Sequence, residues 1–451
     1  MSEHPTPAQL EAFTDRPLPS DSFRHTARHL LGGCASCNAL LRPHYRHLLS
    51  ALSAESAREG ITVSDERLEH LAAAFRSYRS YLRREETRRK KVTLLLARGG
   101  GGEALLAGRP EAPLRDLGAL RALLDRSWAV RHENPGEMKS LARRAVEVAG
   151  RLHPHWHDER DGADWQARAW GELGNALRAA DDLDEAERAF DAAFAFFHQG
   201  NQEARLKARL HDLYASYLGT RRKFDLAFEA LDVVHAAYLE LGDSHLAGKA
   251  LATKAMYLHY SAQPEAAVVV NLRAMALLDR TRGAELLFFS LHNHVRFLVA
   301  CGHLDEARKM LAQHLGDLQR LEGRIYQIRL RWIQAQVSAG LGEWQTAEEG
   351  LRSVRERFEQ EGMGFHAALA SLELALVWMR QDRHEETERM VLEVCDVFIA
   401  LRIQREAFGA IMILKEAFER RMATQGLLEE VIALLGRWQL SSDVGSVPQG
   451  E

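Results

Sequence analysis

Four residues near the N-terminus have types and spacing that suit a metal. They are His25, His29, Cys34 and Cys37, in the pattern His-x3-His-x4-Cys-x2-Cys. His25 and His29 are one helical turn apart, so both imidazoles can face the same side of a helix. Gly32-Gly33 then ends that helix. The Cys-x2-Cys segment forms a tight knuckle that can present two thiolates to one ion. Two nitrogens and two sulfurs suit tetrahedral zinc, and a full set of protein ligands implies a structural site. His44 or His47 could substitute for His25. The plainer alternative is that the cysteines are small residues packed in a helical hairpin, with the histidines on its surface. A redox role has no thioredoxin-like βαβ context around it.

This His/Cys arrangement resembles the zinc-binding head of bacterial anti-sigma factors, in which His-x3-Cys-x2-Cys is joined by an upstream His. It departs from that pattern by one extra residue before the first Cys and by a much closer second His. The resemblance covers about twenty residues and implies structural zinc without implying anti-sigma activity. A second candidate is the basic stretch 76–91, RSYRSYLRREETRRKK, with Tyr78 and Tyr81 interleaved. Arg83, Arg84, Arg88 and Arg89 could contact nucleic-acid phosphates, each contact adding salt-dependent affinity. The favoured expectation is a solvated helix whose Glu85 and Glu86 pair with neighbouring arginines, because no DNA-reading motif accompanies it. A third is His153-x-His155-x-His157, which could hold metal but sits in a Pro-containing turn where polar residues collect.

The elements that position these groups follow from proline and from period. Only Pro264, of 11 prolines, falls between residues 155 and 447. Proline breaks helix interiors, so this stretch is expected to be all helix, and its apolar pattern has the helical period. A small residue recurs at Ala186, Ala227, Ala267, Ala307 and Ala347, and degenerately at Thr387. Twelve residues before each lies a partner position: Gly174, Ala215, Ala255, Val295, Ala335 and Ala375. Turn-like segments such as ACGHLDEA and AGLGEWQTA fall between them. The expected organisation is a helical head at 1–96, a Gly-rich linker at 97–113, a repeat array at 114–440 and a disordered tail at 441–451. Within the array, 167–400 is clearly repetitive and the flanks are degenerate.

Trp170, Leu173, Gly174, Leu177, Ala186, Phe190 and Ala193 resemble the tetratricopeptide repeat, a helix–turn–helix unit of about 34 residues. The resemblance implies a right-handed all-α solenoid, here with a period near 40, whose helix A lines a groove for a partner's peptide or helix. Carried over by position, the groove residues are Arg168, Asn175 and Arg178 in the first repeat. The second supplies Arg209, Asp212 and Ser216, and the third Lys249, Met256, His259 and Tyr260. The fourth supplies His292 and Arg296, and the fifth Arg329, Trp332 and Gln336. The sixth is read as apolar, through Leu372, Leu376 and Met379. Recurrent cations in this groove suggest an acidic segment or a C-terminal carboxylate as ligand.

Composition bounds the rest. Hydrophobic residues make up 46% and charged residues 27%, a globular balance. The net charge is −4, so overall charge does not point to nucleic acid or an anionic membrane. Residues 1–110 nevertheless carry +5 and the remainder −9. No apolar run reaches the roughly 18–20 residues that span a bilayer, and the N-terminus does not read as a secretory signal. Four cysteines are too few for a disulfide scaffold. Arg outnumbers Lys 50 to 9, as in GC-rich bacterial coding, and a cytoplasmic location is the default. Phosphate-loop, Gly-x-Ser-x-Gly and His-Glu-x-x-His signatures are missing from the sequence. The expectation is a non-enzymatic adaptor, scaffold or regulator that binds a protein or peptide partner. The alternative is a regulator linked to nucleic acid or to a sigma-like factor, with the array as sensor.

Overall fold

The computed structural model describes residues 65–97, 116–131, 133–152, 157–279, 281–282, 284–319, 323–401 and 405–437, with Thr26 and His29 from the head. Among these residues there are seventeen α-helices and no strand. The chain divides into two units, Met1–Gln202 and Glu203–Glu451. The expected linker at 97–113 lies almost wholly outside the described residues, as does the tail.

The first unit contains α1 (Asp65–Ala97), α2 (Leu117–Ala129), α3 (Pro135–Ala149), α4 (Glu159–Ala179) and α5 (Leu183–Gln199). Its helix starts follow side-chain chemistry. Asp116, Asn134 and Asp158 each accept a backbone N–H of the first turn of α2, α3 and α4, satisfying donors that have no intrahelical partner. Consecutive helices pack on one another, and α1 packs on α2. The α1–α2 contact is backbone on backbone at Gly118, where a Cβ would stand 2.0 Å from the Glu85 carbonyl oxygen. The Glu85 carboxylate accepts the Gly118 N–H at 2.6 Å.

The second unit is six helical hairpins. They are α6 (Ala204–Thr220) with α7 (Phe224–Glu240), and α8 (Ser244–Tyr260) with α9 (Pro264–Leu277). Next come α10 (Ala284–Ala300) with α11 (Leu304–Gln319), and α12 (Arg324–Gly340) with α13 (Trp344–Gln360). The last are α14 (Gly364–Met379) with α15 (His384–Ala400), and α16 (Arg405–Glu419) with α17 (Gln425–Arg437).

The periodic small residues sit where the helices of a hairpin cross. Ala227, Ala267, Ala307 and Ala347 are fully buried, and so, nearly, is Thr387. Their partners Ala215, Ala255, Val295, Ala335 and Ala375 are buried too. Small side chains let the two backbones approach closely, and larger ones fill the space between hairpins. Thr387 keeps the close fit because its hydroxyl donates to the Arg383 carbonyl at 2.8 Å. In the first unit Gly174 plays the same part, its missing side chain making room for the Phe190 ring.

A second periodicity lies in the turns. Arg222, Ala262, Gly302, Gly342, Asp382 and Arg421 have positive φ, and Asp181 does so in the first unit. Each turn is closed by the N–H of the following residue, which donates to a carbonyl in the last turn of helix A. Examples are Lys223 N to Leu218 O and Glu343 N to Ser338 O, both at 2.9 Å. This is the helix C-terminal motif that favours glycine, yet glycine fills only two of the seven positions. Buried Tyr217, Tyr257, Phe297, Phe358 and Phe398 occupy the core, each contributing on the order of 1.5–3 kcal/mol by leaving water. At the end of the array, Arg380 of α14 donates to Glu429 of α17 at 2.8 Å.

Candidate functional site

Within the second unit, helix A of four successive hairpins lines one open concavity. Thr253 and Met256 come from α8; Leu286, Phe289, His292, Asn293 and Arg296 from α10. Arg329, Trp332 and Gln336 come from α12, and His366, Leu369 and Glu373 from α14. Residues three and four apart share a helix face. That spacing puts Phe289, His292, Asn293 and Arg296 on one side of α10, and Arg329, Trp332 and Gln336 on one side of α12.

The geometry is tightly set. Trp332 is buried, edge-on to Phe358 at 5.3 Å and to His366 at 6.2 Å. Its Nε1 donates to Glu373 Oε2 at 2.5 Å, and Gln336 Nε2 donates to Glu373 Oε1 at 2.7 Å. The Arg329 guanidinium lies over the Phe289 ring, 5.6 Å from its centre. At the pocket wall, Ser290 and Asn271 exchange buried hydrogen bonds at 2.9 and 3.1 Å, fixing α10 against α9. Burial pushes the Glu373 carboxyl up to about 7, although its two donors and the charge of Arg296 pull the other way. Near neutral pH the pocket therefore holds two guanidiniums against a carboxyl that is only partly ionised. Apolar walls beside cations suit a ligand with an apolar body and a carboxylate.

Six of the residues expected in the groove meet here: Met256, His292, Arg296, Arg329, Trp332 and Gln336. The others are placed elsewhere. In the second unit, Lys249 donates to Asp212 at 3.2 Å, and Arg209 is buried. His259 packs against Phe297 at 5.1 Å, and Tyr260 is a core residue, only 1% exposed. Of the sixth repeat's expected apolar contributors, Leu372 is fully buried, and α14 lines the pocket through Glu373 instead. In the first unit, Arg168 pairs with Glu172 at 2.9 Å, and Arg178 donates to Asn175 at 3.1 and 3.0 Å.

Glu373 was not singled out from the sequence, although a signal was there. It is the sole Asp, Glu, Lys or Arg in the otherwise apolar helix GFHAALASLELALVWM. A lone acid in such a helix must find donors, and they come from Trp332 and Gln336, 41 and 37 residues earlier.

Of the expected metal ligands, His25, Cys34 and Cys37 lie outside the described residues, as do His153 and His155. Among the described residues no group of three or more His, Cys, Asp or Glu side chains could hold a metal ion. His157 is hydrogen-bonded to the Tyr81 hydroxyl at 2.8 Å. Cys395 is buried and its thiol is pushed up to about 12 by desolvation, which makes it an inert core residue. No described helix is long and apolar enough to cross a membrane.

No protein-family model and no curated protein matches the chain. Solved structures do share its fold. A Rap protein complexed with competence and sporulation factor aligns with a TM-score of 0.52 at 13% identity, over 72% of this chain and 88% of that one. The apo form of RapI aligns with a TM-score of 0.50 at 14% identity, over 70% and 86%. Aspartyl phosphate phosphatase F from Bacillus subtilis aligns at 0.49 and 11% identity, over 88% and 96%. At such identities the first two likenesses speak for the fold alone, which is all-α, helical-repeat and tetratricopeptide-like.

Proposed function

We propose that this protein is a regulator or adaptor that binds a peptide, or a short segment of a partner protein, in the concavity of its second unit. One observation carries the reading: helix A of four successive hairpins contributes to a single pocket in which Arg296 and Arg329 stand beside apolar walls. A repeat array presents such a face because each hairpin contacts mainly its neighbours and leaves its inner helices to line a continuous surface. The preferred ligand carries a carboxylate, either an acidic side chain or a C-terminus, next to an apolar residue. That another protein of this fold was solved in complex with a factor supports a binding role.

The test starts from a displayed library of random short peptides, selected against the full chain. Enriched peptides are expected to share a carboxylate beside an apolar residue. Arg296→Ala should weaken them about 10–100-fold, the worth of one charged hydrogen bond, without lowering the unfolding temperature. Peptides that bind Arg296→Ala as well as the parent would contradict the reading.

A further inference from the structure

The basic residues of α1 follow the expectation at Glu86 and depart from it at Glu85. That expectation let Glu85 and Glu86 neutralise the neighbouring arginines. Instead, Glu85 turns inward to the N-terminus of α2, accepting the Gly118 N–H. Glu86 lies 3.8 Å from both Arg89 and Lys90. Arg89 is further drawn to Asp125 of α2, with Nη2 at 2.8 Å and Nε at 3.1 Å. Arg89 therefore belongs to the α1–α2 contact and is not a free cation.

What remains is a face lined by none of α1's own acids. Ser80, Arg83, Arg84, Thr87, Arg88 and Lys91 surround one shallow concavity. Their spacing is three and four residues, which places them along one side of the helix. Arg83, Arg84 and Lys91 are exposed. Among the described residues the one acid paired on this face is Asp116, whose Oδ2 lies 3.2 Å from Arg88 Nε. Successive cations advance about 4.5–6 Å along the axis. The face has no aromatic anchor among its described side chains, because Tyr81 is buried against His157. Leu94, one turn further on, is a single exposed leucine of the kind soluble surfaces commonly carry. Protein interfaces draw most of their energy from buried aromatic and apolar anchors, whereas a row of phosphates requires only cations and hydroxyls.

We propose that the face of α1 formed by Arg83, Arg84, Arg88 and Lys91 binds the phosphate backbone of nucleic acid without reading its bases. This stands apart from the peptide pocket, which lies in the other unit. Asp116 acts on it as a brake by occupying Arg88. Three uncompensated cations give a log–log salt slope of about −2.7, so affinity falls about 40-fold between 50 and 200 mM salt. Freeing Arg88 steepens the slope by about 0.9.

The experiment is fluorescence anisotropy of the full chain with a labelled duplex of about 24 base pairs, in two unrelated sequences, at 50, 100 and 200 mM NaCl. Vesicles containing phosphatidylserine serve as a separate probe. The expected result is equal affinity for both duplexes with the slope above. Arg83→Ala, Arg84→Ala and Lys91→Ala combined should abolish binding while leaving thermal unfolding unchanged. Asp116→Asn should bind several-fold tighter at 50 mM and more steeply with salt. Asn caps a helix as well as Asp, so this gain separates charge from folding. The proposal is overturned by no duplex binding at 50 mM salt, by a triple variant that binds as the parent does, by a slope that Asp116→Asn leaves unchanged, or by vesicles bound in place of the duplex.

Discussion

In the pocket of the second unit, cations are built into the packing: Arg329 rests on Phe289 and is only 8% exposed. On α1 of the first unit, Arg83, Arg84 and Lys91 stand in solvent, with Glu85 turned to α2 and Glu86 paired with Arg89 and Lys90. The two regions therefore use the same side-chain chemistry for different ends. A charge set in an apolar wall is oriented and incompletely hydrated, so it can select a ligand by geometry. A charge in water is strongly screened and attracts by number. Mutations should separate the two regions by how far stability and binding move together.

The largest effect is expected at Trp332. Trp332→Ala removes a buried ring packed on Phe358 and His366 and leaves Glu373 without its shortest donor. It should destabilise the second unit by about 3–5 kcal/mol, read as an early transition in denaturant unfolding. A loss below about 1 kcal/mol would mean that the pocket is not part of the core. An intermediate effect is expected at Glu373. Its folded-state value near 7 lies above the ordinary 4.5, so protonation favours the folded state. That stabilisation is fully present below about pH 4.5 and is lost as pH rises through 7. Glu373→Gln keeps the side chain's shape without the charge. It should raise stability at pH 8 by on the order of 1–2 kcal/mol, less than the whole shift implies because the carboxyl keeps partial solvent access. At pH 5 it should leave stability nearly unchanged, and an equal gain at both pH values would refute burial as the cause. The smallest effect is expected on α1, where the combined Arg83→Ala, Arg84→Ala and Lys91→Ala change should move stability by no more than about 0.5 kcal/mol. A larger loss would show that these cations support the fold.

The contrast also marks what could be read in advance. The small residues at a period of 40 located every hairpin crossing from Ala227 to Thr387, because close backbone approach admits few side chains. The turn positions were hidden. Arg222, Ala262, Asp382 and Arg421 adopt the left-handed region without being glycine, held there by the hydrogen bonds that close each helix. Pocket residues were legible where the helix A register was clear, as in α10 and α12. The register misled at Tyr260, which the core takes, and at α14, where the apolar reading hid Glu373. Arg89 pairs with Glu86 as the helix spacing suggests, but its second partner Asp125 lies 36 residues away, beyond any pairing within one helix.

The most direct test of the pocket reading is photo-crosslinking with a library-selected peptide. A photoreactive residue is placed at Asn293, on the pocket wall, or at Leu226, an exposed position on α7. Binding in the pocket predicts efficient crosslinking from position 293, competed away by unlabelled peptide, and none above background from position 226. Equal crosslinking from both positions, or crosslinking from 226 alone, would contradict it.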